Sequence, residues 1–169
     1  DLKKFQKTLP LHKRNSVLGY YSTGTKDISV YKDSAFVHTC YHEVSHFLLH
    51  SYCKNPPTWL NEGLACYFQT AQLDSAGTVS LPQNAYLFKL ARYWFSQRSP
   101  DATKYFAYSH NRFHRLWRED RSYIMSWAVV NYMMRQHKKI FIEMIGDICS
   151  GKKSEAVFEE KFPGGVEGF

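Results

Sequence analysis

The stretch His42-Glu43-Val44-Ser45-His46 lies inside an apolar run and decides how the surrounding chain is interpreted. On a helix, residues four apart lie one turn above each other, so both imidazoles project from one face, about 6 Å apart. This spacing suits two nitrogen ligands of one tetrahedral zinc ion. Glu43 is the next residue along the helix and would reach a metal-bound water without being a ligand. That is the position expected of a general base in metal-assisted hydrolysis.

The motif alone fits a second interpretation equally well, namely surface histidines on an ordinary helix. Its surroundings favour the metal site, because Val44, Phe47 and Leu48 make the helix half-buried. The helix also holds His38 and His50, which extend the series of histidines at every fourth position. Each step of four residues rotates about 40° around the axis, so we expect these two to lie beside the site or at the surface rather than to be ligands.

A candidate third ligand, Glu62, follows sixteen residues after His46, at the start of a second apolar helical run. Burying an unpaired carboxylate is costly, so a buried Glu62 needs a partner. A zinc ion that already holds His42 and His46 would be that partner. Three protein ligands leave the fourth position open for water, which is typical of a catalytic rather than a structural zinc site.

The two motifs together resemble those of the gluzincin metallopeptidases. H-E-x-x-H is followed by P-P-x-W-L-x-E-G-L-A-x-Y-F over residues 56–68, a pair typical of the small bacterial peptidase MA-like families, including DUF1570. The resemblance covers roughly residues 16 to 150. It implies a zincin-like fold, one Zn²⁺ per chain, Glu62 as third ligand, Glu43 as general base, and a peptide or protein substrate.

The sequence also departs from the gluzincin pattern. The G-x-M-E-N segment with which the larger aminopeptidases of this group hold a substrate's amino terminus is absent, so the resemblance does not imply aminopeptidase activity. Residues 123–127 are similar to the gluzincin stretch Y-x-K-G, whose tyrosine hydrogen-bonds the carbonyl oxygen under attack. Met125 and Ser126 replace its Lys and Gly. Tyr123 is therefore a candidate oxyanion donor, with a purely structural tyrosine as an equal alternative.

Composition bounds the class of protein. The chain has 169 residues, of which 44% are hydrophobic and 17% aromatic, which fits one globular domain, residues 1–169, and argues against disorder. We find no apolar run of membrane-spanning length, and the first residues do not have the pattern of a signal peptide. A fragment of a longer chain is an open interpretation, so a targeting segment and the location of the protein stay open. The net charge of +7 comes from scattered Lys and Arg, and this pattern does not favour a nucleic-acid partner.

The four cysteines are expected to be free and buried. Cys40 and Cys53 would lie about 20 Å apart on one continuous helix, which excludes a disulfide between them. Cys66 follows Glu62 by one turn, and Cys149 is near the end of the chain.

Two short strands, Val17 to Thr23 and Asp27 to Tyr31, are predicted around Gly24-Thr25-Lys26, after a polar lead-in of residues 1–15. By resemblance, one of these strands would bind substrate peptide along its edge, and a plain packing hairpin is an equal alternative.

The rest of the chain is predicted to be mainly helical. We expect Asp33 or Ser34 to cap the helix with the H-E-x-x-H motif, Thr58 to cap the helix with Glu62, and Ser122 to cap a later apolar helix. The helix with Glu62 is expected to extend to Ala71 or Leu73. Residues 104–121 form either a connecting segment that packs its aromatic rings or a substrate-facing loop. The remaining predicted elements are a loop or small hairpin at 74–82 and helices at 83–97, 123–136, 138–149 and 154–162.

The sequence thus predicts a single α+β domain, a small N-terminal hairpin followed by a helical body that carries the H-E-x-x-H and glutamate helices. The expected activity is zinc-dependent peptide-bond hydrolysis, with Glu43 as base and Tyr123 at the oxyanion. One alternative is a catalytically silent, zinc-stabilised peptide- or protein-binding module, against which the presence of Glu43 speaks. A nucleic-acid-binding domain is a second alternative, for which the chain has no recognisable motif.

Overall fold

Helices make up most of the computed structural model, which describes residues 2–9, 18–97, 101–115 and 121–165. Within these ranges the strands form two antiparallel hairpins: β1 (Gly19–Tyr21) with β2 (Ile28–Val30), and β3 (Gln72–Leu73) with β4 (Val79–Ser80). The helices are α1 (Leu2–Thr8), α2 (Phe36–Tyr52), α3 (Thr58–Phe68), α4 (Ala85–Gln97), α5 (Ala102–Phe106), α6 (His110–Arg115), α7 (Arg121–Gln136), α8 (Lys138–Cys149) and α9 (Ser154–Lys161). The predicted α+β class is confirmed.

Helix α3 lies at the centre of the packing, with α2 and α7 against it. Its sequence explains this position, since it is apolar around most of its circumference and is buried from Trp59 to Tyr67 apart from Asn61. Gly63 allows α7 to approach closely: a Cβ atom there would lie 2.6 Å from the Ser126 carbonyl oxygen. At the other end, the Trp59 indole donates a hydrogen bond to Ser154 Oγ over 2.9 Å. These contacts fix α3 relative to α7 and α9.

The N-terminal hairpin is present where it was predicted, with shorter strands. Gly19 pairs with Val30 and Tyr21 with Ile28, and Lys26 has a positive φ of 61° in the turn between them. Strand β1 packs against α2, while Val17 lies outside the described residues. Of the loop or small hairpin predicted at 74–82, the structure has a hairpin, β3–β4, whose first strand begins earlier, at Gln72.

The described part of the lead-in, residues 2–9, is mostly helical. Residues 2–8 form α1, whose Phe5 ring lies 5.8 Å from the ring of Tyr31, and Leu9 is buried. Phe5 therefore has an aromatic partner just after β2.

Three predicted helix caps are wrong. Ala35 occupies the N-cap of α2, and Asp33 instead accepts a hydrogen bond from the Ala35 amide within a turn. Pro57 precedes α3 in an extended conformation, so Thr58 is its first helical residue. Ser122 is buried inside α7 rather than before it.

The end predicted for the glutamate helix is also wrong. α3 ends at Phe68, because Gln72 and Leu73 pair with β4 and the chain must become extended before them. The predicted ends of the later helices agree with α4, α8 and α9 to within two residues.

The expectation of free, buried thiols holds for Cys66 and is wrong for the other three cysteines. Cys53, just after α2, forms a disulfide with Cys149 at the end of α8, and their Cα atoms lie 4.8 Å apart. This pair joins positions 96 residues apart in sequence, so its proximity depends on tertiary packing alone. Cys66 is free and buried, Cys40 is free and partly exposed, and no bond joins Cys40 to Cys53.

Within the described ranges, no helix has both the length and the apolar character that crossing a bilayer requires.

We expect the substitution Cys149→Ser to lower the free energy of unfolding by about 2–5 kcal/mol, because it releases a long closed loop in the unfolded chain. Guanidinium denaturation of the oxidised protein measures this loss. Cys40→Ser is the matched control and should leave the midpoint nearly unchanged. Equal midpoints for Cys149→Ser and the parent would contradict the assigned pair.

Candidate metal centre

Three side chains from two helices meet in one cluster. His42 and His46 project from α2, and Glu62 projects from α3. Glu62 Oε2 lies 3.5 Å from His42 Nε2 and 3.8 Å from His46 Nε2. The candidate ligand atoms of the three residues all lie within 4.8 Å of one another, so this group can hold a metal ion. The structure thus brings together the three ligands expected from the sequence.

The donor set fits zinc. Tetrahedral zinc with bonds of about 2.0–2.1 Å keeps its ligand atoms roughly 3.3–3.4 Å apart, close to the two distances measured from Glu62. Two imidazoles and one carboxylate also match the ligand types of catalytic zinc sites. His38 and His50 lie outside the group, since the first bonds the Gln69 carbonyl oxygen and the second packs near Tyr21.

Burial shifts the pKa values of the three side chains in the cluster. Glu62 is only 7% exposed, and burial alone would raise the pKa of its carboxyl. The hydrogen bond to His42 and the nearby His46 outweigh burial and lower this pKa to about 2. Burial lowers the pKa of His46 to about 4. Burial also disfavours a charged His42, yet hydrogen bonds to Cys66 and Glu62 raise the pKa of that imidazole well above its ordinary value. Without metal, His42 therefore supplies the positive charge that Glu62 needs.

Two amides orient the histidines. His46 Nδ1 lies 3.0 Å from Asn61 Oδ1, and His42 Nδ1 lies 3.3 Å from Gln69 Oε1. An amide oxygen accepts, so each Nδ1 carries a proton, and each Nε2 is the atom that faces the cluster and would bind a metal once it is unprotonated. The sequence reasoning missed both amides. A usable signal existed for Gln69, which is seven residues after Glu62 and hence on the same face of α3.

Glu43 is buried beside the cluster and 7% exposed. It is not part of the candidate ligand group, and its carboxylate lies against the backbone of β1. A Cβ atom at Gly19 would lie 2.7 Å from Glu43 Oε1 and 2.6 Å from Thr39 Cγ2. Only glycine therefore permits this approach of β1 to α2 without displacing Glu43, a requirement that the sequence pattern did not reveal.

Tyr123 reaches the same place from the start of α7 and lines the cavity that contains His42, Glu43, His46 and Glu62. Its hydroxyl lies 3.4 Å from His114 Nδ1. Burial, followed by the negative charge of Glu62, raises the pKa of Tyr123. The phenol is therefore protonated near neutral pH and able to donate a hydrogen bond.

In its described part, the segment 104–121 packs aromatic rings as one of the two interpretations predicted, and its helix α6 also borders the cavity beside the metal cluster. Tyr105 and Phe106 are buried in the main core. His110 and His114, on α6, line the cavity beside the metal cluster. Residues 116–120, including Arg118, and the side chain of Arg115 lie outside the described part.

Two cavities flank the cluster and share Gly19, His42, Glu43 and Tyr123. The first, of about 410 Å³, extends towards α6 and the start of α3, and we call it the α6 half. The second, of about 790 Å³, extends along the start of α2 towards the start of α4, and we call it the α4 half. We call the two cavities together the cleft, and Glu43 and Tyr123, which line both of them, mark its middle.

We expect Glu62→Gln to weaken zinc affinity by at least about 10–100-fold. Loss of a residue that only hydrogen-bonds to a ligand already weakens metal affinity by about this factor, and Glu62→Gln removes a charged ligand itself. Chelator competition on the purified protein measures the affinity. Glu143→Gln, on an exposed position of α8, is the matched control. Unchanged affinity in Glu62→Gln would remove this residue from the set of ligands.

Comparison with known proteins gives a family and no further relative. The model of a family described as "Protein of unknown function (DUF1570)" matches residues 34–154, which include α2, α3 and α7. No curated protein and no solved structure matches the chain. Because the match spans well over half of the sequence, the chain belongs to the DUF1570 family.

Proposed function

We propose that this protein is a zinc-dependent metallopeptidase of the gluzincin type, which hydrolyses peptide bonds. The observation that carries the proposal is the buried carboxylate of Glu43 beside a separate His42–His46–Glu62 group, facing a cleft. A site that served only to stabilise the fold would have no use for a second buried carboxylate at this position.

The ligands would be His42, His46 and Glu62. When bound there, zinc supplies a Lewis acid that polarises the scissile carbonyl and makes water more acidic. Asn61 and Gln69 keep the two imidazoles in the tautomer that binds metal. A bound metal would supply the positive charge beside Glu62, and His42 would then bind it as a neutral imidazole.

Glu43 would act as general base. Its carboxylate accepts a proton from the attacking water and afterwards delivers that proton to the nitrogen of the leaving amine. Gly19 holds the strand close above this carboxylate and restricts its movement. Positioning of this kind matters because a misplacement of about 1 Å can lower a rate roughly 10²-fold.

Tyr123 would stabilise the oxyanion that develops on the carbonyl oxygen. Its raised pKa keeps the donor proton in place. The ring of His114, 3.4 Å from the hydroxyl, would orient it when Nδ1 donates to the phenol oxygen, because the hydroxyl proton then remains available for the substrate.

The substitution Glu43→Gln is expected to leave zinc occupancy unchanged and to lower kcat by about 10²–10⁴-fold, because the amide cannot accept the water's proton. Metal analysis and peptide cleavage on the same preparation measure both quantities. Equal cleavage rates for the variant and the parent would disprove the role of Glu43. Full zinc occupancy without cleavage of any peptide by the parent would favour the silent binding module.

Tyr123→Phe should reduce kcat by about 10²–10³-fold with little change in KM, since the lost hydrogen bond forms in the transition state. The ring still packs, so the melting temperature should barely change. Tyr132→Phe, on the exposed side of α7, is the control. An unchanged kcat with a lowered melting temperature would make Tyr123 a structural residue.

A further inference from the structure

The cleft continues on both sides of its catalytic middle. Gly19, His42, Glu43 and Tyr123 belong to both halves, so a substrate bond placed between Glu43 and Tyr123 would have space before it and after it. Each half lies in the range of about 300–1,000 Å³ that is typical of ligand cavities. Strand β1 borders the cleft along its length, since Tyr20, Tyr21 and Thr23 line the α6 half and Leu18 lines the α4 half.

As far as the structure describes the lining of the two halves, it supplies no permanent charge that would bind the end of a peptide. Among the described residues that line the two halves there is no Lys, Arg or Asp, and the carboxylates are Glu43 and Glu62 at the middle. An exopeptidase has to bind a terminal ammonium or carboxylate, and such a charge, once removed from water, needs an opposite charge beside it. His50, in the α6 half, is held neutral because burial lowers its pKa.

The polar groups of the cleft suit neutral amide groups instead. Asn61 and Thr58 lie in the α6 half, and Gln83, Asn84 and Thr70 lie in the α4 half. The amide oxygens of Asn61 and Asn84 already accept from His46 Nδ1 and from the Leu87 amide, so these two side chains would offer their N–H groups to a substrate. Amides and hydroxyls both donate and accept, as a peptide backbone does, and carry no net charge.

From this arrangement we propose that the protein is an endopeptidase, which binds an extended internal segment of a polypeptide through both halves of the cleft. The inference rests on the proposed peptidase function and specifies its class of substrate. The water oxygen bonds to the carbonyl carbon, the C–N bond breaks, and the proton passes through Glu43 to the leaving nitrogen. The products are therefore two peptides, not a peptide and a single amino acid.

The first test compares peptides with free ends and the same peptides with an acetylated amino terminus and an amidated carboxyl terminus. Mass spectrometry of the products from a mixed-sequence set, digested by the zinc-loaded protein, identifies the bonds that are cut. We expect internal cuts, and we expect kcat/KM for the blocked peptides to lie within about threefold of kcat/KM for the free ones. Blocking an end would change kcat/KM by more than about threefold only if the site bound that end through a polar contact. Release of single terminal residues, from free-ended peptides only, would overturn the endopeptidase inference but leave the peptidase function standing. A failure to cut any peptide would overturn both.

The second test obstructs each half separately. Thr23 lines the α6 half and Ala85 lines the α4 half, and both residues are exposed. We expect Thr23→Trp and Ala85→Trp each to lower kcat/KM for blocked peptides by about tenfold or more, because a large ring displaces the substrate from its productive position. Ala76→Trp, exposed in the turn between β3 and β4 and outside both halves, is the control. Zinc occupancy should be the same in all three variants as in the parent. If only one of Thr23→Trp and Ala85→Trp lowered kcat/KM, the substrate would not occupy both halves, and the inference would be contradicted.

Discussion

The pairing of a buried carboxylate on one helix with two imidazoles on the next is the interaction on which the rest of this structure depends. Glu62 is carried by α3, the helix that the core surrounds, and has little access to water. Its charge has to be compensated inside the protein, and His42 and His46 of α2 are the groups that reach it. Removal of either the carboxylate or the imidazoles would leave a buried charge without compensation. The packing of α2 on α3 is therefore coupled to the binding of a metal ion.

The frame around this pairing is rigid where precision is needed. Gly63 allows α7 to approach α3 closely, and Trp59 ties the start of α3 to Ser154 at the start of α9. The same α7 presents Tyr123 to the cleft, so the metal cluster and the candidate oxyanion donor share one support. On the opposite wall, Gly19 brings β1 against Glu43. Residues from four separate elements therefore converge on one point because of backbone packing, not because of long flexible side chains.

What the sequence predicted well is local. The spacing of His42 and His46, and the placement of Glu62 at the beginning of an apolar run, require only helix periodicity and the cost of burying a charge. The apolar spacing from 83 to 97 predicted α4 for the same reason.

What the sequence did not predict depends on contacts between distant segments. The Cys53–Cys149 disulfide forms because the ends of α2 and α8 meet, and His114 reaches Tyr123 only through the packing of α6. The helix starts were misjudged because Pro57 fixes an extended residue before α3, and because Ser122 is buried within α7. A list of capping residues does not contain that information, since a serine or threonine serves equally well inside a helix when its surroundings accommodate it.

The central claim, a metal ion held by two imidazoles and one carboxylate, is tested most directly by X-ray absorption at the zinc edge on protein purified with bound metal. The account predicts about one zinc per chain and a first shell of nitrogen and oxygen at about 2.0–2.1 Å, with two imidazoles. Sulfur scattering at about 2.3 Å would contradict it, because it would make Cys66, the free thiol beside His42, a ligand in place of Glu62. Protein that takes up no zinc at all would contradict it equally.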